Sequence, residues 1–412
     1  MVQAPDLLSD PTLTLVLLAW ILAGASLGCV SGLIPGLHAN NFALLLAGIA
    51  PSVPGPPLHV GAAMLSAGVV HTFVNAIPAM ALGVPDAEMA VTALPGHRMV
   101  RSGRGFEALR LSAIGSLLAV VVALPLALPI TWGVTAVYPS LRANLPLALL
   151  LVVVALLASE IGWRRRLGGA ISFVLASVLG LYTLDITPEA PLGGGGMLAP
   201  IFAGLFGAPV LIDAIRGGGI PPQGDKTLQF PRWLLALTAL AGALAGAVVG
   251  YVPGISAAIA AVAVLAFLPA RSGDRGYIVA TSGVDTANTI FALFALVAIG
   301  QPRTGVMVAF ETADVPLVLP ILVGAVVAAG VIGFLMVLVI GDAYLVAVGR
   351  TTYWKISAVV LALLLVLSWL FAGYLGVVVF AVAAAIGMVP VRFRARRVHL
   401  MGVLIGPLIL AG

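Results

Sequence analysis

A Pro-Gly pair at 35–36 interrupts an apolar run that extends from about residue 13 to residue 50. Proline removes a backbone hydrogen-bond donor and clashes with the preceding turn, so a helix cannot continue through this pair. Irregular backbone survives in a bilayer only where protein or a water-filled cavity satisfies its polar groups. His38, Asn40 and Asn41 follow at once. The stretch is therefore typical of a broken helix that forms a binding site in a membrane transporter.

The same break occurs again 218 positions along the chain. Five glycines and prolines recur without a gap, and Gly24, Gly28, Gly32, Pro35 and Gly36 match Gly242, Gly246, Gly250, Pro253 and Gly254. Matched Gly/Pro interruptions in two halves point to a transport site; two unrelated small-residue packing motifs are the alternative. The match predicts a first transmembrane repeat at 1–215, a cytoplasmic linker at 216–231 and a second transmembrane repeat at 232–412.

The composition agrees with a chain that lies mostly in lipid. Hydrophobic residues make up 61% of the chain and charged residues 8%, whereas soluble proteins carry about 25% charged residues. The net charge of +5 comes from arginines between apolar segments, so we expect membrane lipid and no nucleic acid as a partner. The single cysteine, Cys29, excludes an intramolecular disulfide and a cysteine metal cluster.

The arginines also predict the orientation, because cytoplasmic loops carry an excess of Lys and Arg. Basic loops expected inside lie at 98–110, 164–166, 216–232, 271–275, 350–355 and 392–397, and acidic groups expected outside lie at 185–189 and 311–314. The first half then starts outside and the second half starts inside. The predicted fold is an all-α polytopic membrane protein of two inverted-topology repeats with broken helices or re-entrant hairpins. We expect it in the cytoplasmic membrane with both termini outside.

A second pair of breaks follows in the two halves. Asn75 precedes a Gly-x-Pro break at 83–85, and Asn288 precedes one at 300–302. Polar side chains are costly in lipid unless they find partners, so each is a functional hypothesis. Simple hydrogen bonding between helices is the alternative for both asparagines.

Several of these patterns together resemble a known family. They are PGL followed by ALLL in the first half, G-x-x-PG-x-S-A-x-I-A at 250–260, the D-x-A-N helix at 285–288, the late G-x-P break, and the run LPGHRMVRSGRGFEAL at 94–109. The set resembles the large permease of tripartite tricarboxylate transporters, the TctA family, and looks like a divergent branch of archaeal type. The resemblance covers essentially the whole chain. It implies a cation-coupled carboxylate permease, with a small membrane subunit and an extracytoplasmic solute-binding protein as partners.

We therefore predict a secondary-transport permease that moves a small organic anion, a carboxylate and by resemblance a tricarboxylate, coupled to Na⁺ or H⁺. No other cofactor is expected. Substrate contacts are predicted at Gly36, His38, Asn40, Asn41, Asn75, Gly254, Ser256, Asn288 and Arg303. The coupling ion is predicted at Asp285, Thr286 and Asp86, and the carbonyls of Ile34 and Val252 are candidates for Na⁺.

The reasons for these choices differ, and each has an alternative. Amides freed at a half-helix start after Gly36 and Gly254 suit an anion. His38 can titrate near neutral pH, or can only cap its loop. Asp285 lies in an apolar helix and is our first choice for the coupling carboxylate; the alternative is a solvated helix-start residue. The hydroxyl of Thr286 can instead bond a carbonyl of its own helix.

Opposite charges follow the two Gly-x-Pro breaks, with Asp86 after the first and Arg303 after the second. An unpaired charge at the bilayer centre costs at least about 2.5–3.5 kcal/mol. Three interpretations are open: the charges pair with each other, Arg303 binds a substrate carboxylate through its planar fork, or both lie in watery vestibules.

A polytopic membrane enzyme acting on a lipid-linked substrate is the alternative function. It would need a nucleophile or a metal constellation, and the sequence has no His-Glu-x-x-His motif. The five histidines, at 38, 59, 71, 97 and 399, do not have metal-ligand spacing. The matched breaks favour transport, so we predict that the chain is not an enzyme.

Overall fold

The computed structural model describes residues 10–35, 37, 39, 42–43, 46, 53–83, 93–192, 196–215, 220–252, 255, 257, 260–261, 264 and 268–411. Within these ranges the regular structure is helical and contains no strand. Eight of the described helices are long and apolar enough to cross a membrane. The predicted all-α, multi-pass class is therefore confirmed.

The helices of the first half are α1 Pro11–Leu33, α2 Pro57–Val74, α3 Ala76–Leu82, α4 Ala93–Arg101, α5 Gly105–Ala143, α6 Leu145–Ala158, α7 Trp163–Thr183, α8 Leu198–Phe202 and α9 Ala208–Ile215, with a π turn at Ala203–Gly207. Those of the second half are α10 Arg232–Tyr251, α11 Gly273–Ile299, α12 Gly305–Thr312, α13 Leu319–Arg350, α14 Tyr353–Phe393 and α15 Gly402–Ala411. Short 3₁₀ turns lie at Ala270–Ser272 and Arg397–Met401.

Helices α1 and α10 end at the two breaks that the sequence predicts. The last helical residues are Leu33 and Tyr251, and the next residues, Ile34 and Val252, have extended backbone with ψ of 110° and 115°. Proline follows each of them; it removes a backbone donor and clashes with the preceding turn, which favours the end of a helix at these positions. The two ends are 218 positions apart, which is the offset of the sequence match.

The repeated glycines let α1 and α10 approach the next long helix closely. A Cβ atom at Gly24 would overlap the backbone of Ala63 in α2, and one at Gly242 would overlap the backbone of Ala280 in α11. Small residues allow this kind of close helix packing in membranes. The same contact is therefore built in both halves.

The third glycine of each set fixes which residues of α2 and α11 correspond. A Cβ atom at Gly32 would lie 2.9 Å from Cβ of Val74, and one at Gly250 would lie 2.7 Å from Cβ of Phe291. Val74 and Phe291 are 217 positions apart. The same spacing makes Asn288 the counterpart of His71 in the repeat, and not the counterpart of Asn75. The two asparagines that the sequence suggested as counterparts therefore occupy different positions.

The two halves are interleaved. Helix α2 packs on α13, where a Cβ at Gly333 would lie 2.9 Å from the Phe73 ring, and α11 packs on α5, where a Cβ at Gly115 would lie 2.9 Å from Cα of Val279. Each half thus supplies helices that are buried against the other half.

Helices α5 and α13 run in opposite directions. Gly341 lies against Leu109, and Gly330 lies against Val120. Residue numbers rise along one helix as they fall along the other, so the pair is antiparallel.

Two hydrophobic cores organise the described residues. The larger is formed mainly by α1, α2, α5, α10, α11 and α13. The second is formed mainly by α6, α7, α8, α14 and α15. Helix α14 is kinked within this second core at Ala372–Gly373, where Gly373 has a φ of 58°.

Basic loops that the charge bias assigns to one side of the membrane contact each other. Arg98 Nη2 lies 2.5 Å from Asp274 Oδ1, and Arg275 Nε lies 2.8 Å from Oε1 of the buried Glu107. These pairs join α4 and the first turn of α5 to the start of α11. The predicted grouping of the two loops on one side agrees with these contacts.

The linker docks on the same side. Gln223 accepts a hydrogen bond from the Gly105 amide at 2.7 Å. Lys226 Nζ lies 2.7 Å from Asp342, which also pairs with Arg110 at 2.9 Å. The linker therefore ties the start of α5 to the last turns of α13.

A separate charge cluster joins the α6–α7 loop to the segment before α15. The buried Glu160 accepts hydrogen bonds from the Arg396 amide at 2.8 Å and side chain at 3.1 Å, and lies 3.0 Å from His399 Nε2. Burial raises the pKa of Glu160, but these bonds outweigh it and hold the pKa below its usual value.

Candidate functional site

The candidate site lies where α2 of the first half crosses α11 of the second half. Asn75 Nδ2 donates a hydrogen bond to Asp285 Oδ2 at 3.2 Å, and the Thr72 and Thr286 hydroxyls lie 3.1 Å apart. All four side chains are buried, with 5% of Asn75, 1% of Asp285 and none of Thr286 exposed. Three residues predicted separately from the sequence are thus brought together.

Asp285 lies in the middle of a membrane-length helix. It comes 12 residues after Gly273 and 14 before Ile299, which is about 18 Å and 21 Å along the helix axis at about 1.5 Å per residue. The alternative of a solvated residue at a helix start does not hold, because the side chain is buried and distant from both helix ends.

Pro78 removes one hydrogen bond from the helix near Asn75. It has no amide hydrogen, so it cannot donate to the carbonyl of Val74 as a regular helix requires. The backbone of Asn75 itself stays helical, with φ of −58° and ψ of −24°, and its amide donates to the His71 carbonyl at 2.9 Å. The residue that bonds Asp285 therefore lies where α2 continues into α3 and the helix lacks one hydrogen bond.

The chemistry of this cluster suits a cation or a proton. A carboxylate in the apolar interior is costly unless it is paired or carries a transported charge. Here it is accompanied by an amide and two hydroxyls, and oxygen atoms are the ligands that hard cations prefer. No group of three or more His, Cys, Asp or Glu side chains within the described ranges could hold a metal ion. The cluster is therefore unlike a catalytic metal centre.

His71, one turn before Asn75 on α2, is a buried polar residue that was not among the predicted site residues. It is fully buried, its Nδ1 lies 2.9 Å from Ser31 Oγ, and its ring stacks on Phe42 at 6.1 Å. The Ser31 hydroxyl donates to the Gly28 carbonyl at 3.0 Å. A serine has one hydroxyl proton, so when that proton is given to the Gly28 carbonyl, Nδ1 of His71 donates to Ser31 Oγ. The internal repeat could have pointed to His71 as a site residue, because His71 corresponds to Asn288 of the second half.

Asn288 lies one turn beyond Asp285 on α11. It is 5% exposed, and its Oδ1 has no hydrogen-bond partner among the residues that the structure describes. A buried amide oxygen in this state carries the cost of desolvation. Asn288 therefore remains a predicted substrate contact near the cluster.

Arg303 lies apart from the central cluster. It follows the end of α11, 18 residues after Asp285, and its guanidinium donates to the hydroxyl of Tyr138 near the end of α5. The structure thus places this predicted substrate contact beyond the end of α11, which itself lies about 21 Å from Asp285 along the helix axis.

The other predicted positions are only partly described. Ile34 and Val252 lie at the ends of α1 and α10, and the Ile34 carbonyl accepts a hydrogen bond from the Leu37 amide at 3.2 Å. Sodium binding at these carbonyls stays a prediction. Seven predicted residues lie outside the described residues: Gly36, His38, Asn40, Asn41, Asp86, Gly254 and Ser256.

The chain matches the tripartite tricarboxylate transporter TctA family over residues 18–402. It belongs to this family. The predicted family is thus confirmed, and this TctA-family chain is a multi-pass transport permease and not an enzyme. Members of the family work with a solute-binding protein and small subunits.

One relative is an uncharacterized protein of the archaeon Methanocaldococcus jannaschii. It is 27% identical over 403 residues, which cover 95% of this chain and 98% of the relative. This similarity is consistent with a divergent archaeal branch of the TctA family. No solved structure matches the chain.

Proposed function

We propose that this TctA-family chain is a secondary permease that carries a small organic anion, a carboxylate of the tricarboxylate type, across the cytoplasmic membrane with Na⁺ or H⁺. The observation that carries the proposal is the buried contact of Asn75 with Asp285, made in the middle of α11 by residues from both halves. Ionisable residues buried at such a depth mark ion and substrate pathways in transporters.

Asp285 is the proposed coupling carboxylate. Its ionised form attracts a cation, and its protonated form removes the buried charge, so either ion can be carried at this position. Thr72 and Thr286 add hydroxyl oxygens beside it. The substrate is proposed to bind near the two breaks, with Asn288 and the residues after Gly36 and Gly254 as contacts.

The inverted arrangement of the halves is part of this proposal. It is supported by the matching ends of α1 and α10, by the matching glycine contacts and by the antiparallel pairing of α5 with α13. Inverted repeats place the substrate site at their interface near the bilayer midplane. Both termini are then proposed to lie outside, with the Arg98–Asp274 side facing the cytoplasm.

Two partners are also proposed for this chain. The family works in tripartite systems, so we propose a small membrane subunit and an extracytoplasmic solute-binding protein. Co-purification of the chain with the proteins encoded beside it tests this proposal.

The test of function is uptake by proteoliposomes that contain the purified chain. Citrate, dicarboxylates and aromatic acids are offered under a Na⁺ gradient, a H⁺ gradient or neither. We expect uptake above the external concentration with one of the gradients, and we expect Asp285→Asn to abolish or uncouple it while the protein remains folded.

Asp185→Asn is the matched control, because it neutralises an exposed carboxylate beyond the end of α7. It should leave gradient-driven uptake unchanged. Wild-type rates in Asp285→Asn would exclude Asp285 from coupling, and gradient-independent turnover of a lipid-linked substrate would overturn the transport proposal itself.

A further inference from the structure

The far ends of α5 and α11 meet on the side opposite the basic loops. The two helices run in the same direction, since Glu107 pairs with Arg275 near their starts, and Tyr138 near the other end of α5 contacts Arg303, which follows the other end of α11. The Arg98–Asp274 and Glu107–Arg275 pairs lie at the predicted cytoplasmic side. Tyr138 and Arg303 therefore lie at the side predicted to face out.

This end of the molecule presents hydrogen-bond donors. The Arg303 guanidinium lies 5.6 Å from the centre of the Tyr138 ring and donates to its hydroxyl. The phenol oxygen is the acceptor there, so its own proton remains able to donate to another group. Arg303 Nε and Thr304 Oγ1 are shielded from solvent and have no hydrogen-bond partner in the described part of the chain.

No carboxylate of the described residues lies within ion-pair distance of Arg303. Five other arginines do have such a partner: Arg98, Arg104, Arg110, Arg275 and Arg396. A half-buried guanidinium without a counter-ion carries a desolvation cost. A carboxylate group matches its planar fork in geometry and charge.

We propose that Arg303, Thr304 and Tyr138 form a second binding site for a carboxylate, which we name the outer anion site. It would hold the organic anion at the end of α11, about 21 Å along the helix axis from Asp285, before the anion reaches the central cluster. Gly300, at the turn before Arg303, is exposed and has open space where a side chain would lie, so the turn leaves room for a ligand. The inference rests on the proposed carriage of an organic anion.

The test measures the binding of citrate, succinate and benzoate to the full chain by calorimetry in detergent, and their uptake into proteoliposomes. Hydrogen bonds to charged groups are the stronger class, so Arg303→Gln should weaken binding and raise the KM for the transported anion about 10- to 100-fold. The maximal rate should be kept. Thr304→Val and Tyr138→Phe should each have a smaller effect of about 2- to 10-fold.

Two variants control for charge and folding. Arg271→Gln removes an exposed arginine that lies 4.2 Å from the Trp233 ring at the other end of the protein, and it should change neither KM nor binding. Arg303→Lys keeps the charge without the planar fork, so it should fall between wild type and Arg303→Gln. Elution as a single species in size exclusion verifies that each variant is folded.

The result that overturns the proposal is unchanged binding and unchanged KM in folded Arg303→Gln, or no binding of the three anions to wild type. A lipid headgroup is the other source of a negative group. If the Arg303→Gln effect occurs with phosphatidylglycerol and vanishes in phosphatidylcholine alone, Arg303 holds lipid phosphate and the proposal fails. Arg303-dependent binding without gradient-driven uptake would support the outer anion site and refute the proposed function.

Discussion

The close approach of α1 to α2 and of α10 to α11 makes a quantitative prediction about glycine. A Cβ atom at Gly24 or Gly242 would overlap the backbone of Ala63 or Ala280, and backbone cannot rotate away as a side chain can. Overpacking of this kind costs about 1–3 kcal/mol. Gly24→Ala and Gly242→Ala should therefore each lower the free energy of unfolding by about that amount.

Gly324 provides the matched control. It lies in α13, is exposed, and a Cβ atom there would meet nothing within 4 Å. Alanine forms a helix more readily than glycine, by about 0.5–1 kcal/mol, so Gly324→Ala should be neutral or stabilising. All three variants change one hydrogen into one methyl group in a helix, and only their surroundings differ.

The assay is unfolding of the purified protein, followed by loss of helical circular dichroism with heat or with increasing denaturing detergent. Gly24→Ala and Gly242→Ala should unfold at similar, lowered midpoints, because the two contacts correspond in the repeat. If both variants match Gly324→Ala, the helices do not approach as described. If only one is destabilised, the two halves are not packed alike.

Two further predictions concern His71 and Glu160. His71→Asn keeps a donor for Ser31 and should retain stability and uptake. His71→Leu removes that donor and should lower the free energy of unfolding by about 0.5–1.5 kcal/mol. Loss of uptake in a stable His71→Asn variant would instead indicate that His71 carries a proton. The lowered pKa of Glu160 means that its contribution to stability is present above the pKa of the unfolded carboxyl and is lost as the pH falls through the lower folded pKa. The thermal stability of wild type should thus fall more steeply with decreasing pH than that of Glu160→Gln. Parallel pH profiles of the two proteins would contradict the role of the Arg396 and His399 contacts.

Local chemistry made the breaks of this fold predictable. Each break contains a Pro-Gly pair; proline removes an amide donor and clashes with the preceding turn, and glycine loosens the backbone, so the pair disfavours a continued helix through purely local effects. The burial of Asp285 was predictable for a similar reason, since an apolar segment of 27 residues leaves few places for its middle to lie except within the protein or the bilayer. These inferences needed no knowledge of tertiary contacts.

Partners across the two halves were not predictable from the sequence. The contact of Asn75 with Asp285 joins residues 210 positions apart, and its geometry depends on how α2 crosses α11. The Gly-x-Pro break that follows each of them suggested Asn75 and Asn288 as counterparts, but the glycine contacts make His71 the counterpart of Asn288. Arg303 was placed in the substrate site because of its charge, while the length of α11 carries it to the other end of the protein.

The interleaving of the halves bears on how such a permease can move. Rocking one half as a rigid body against the other would have to open the buried packing of α2 on α13 and of α11 on α5. The boundary between the two hydrophobic cores runs elsewhere, with α1, α2 and α5 on one side and α6 and α7 of the same half on the other. The units that shift during a transport cycle are therefore expected to combine helices from both halves of the chain.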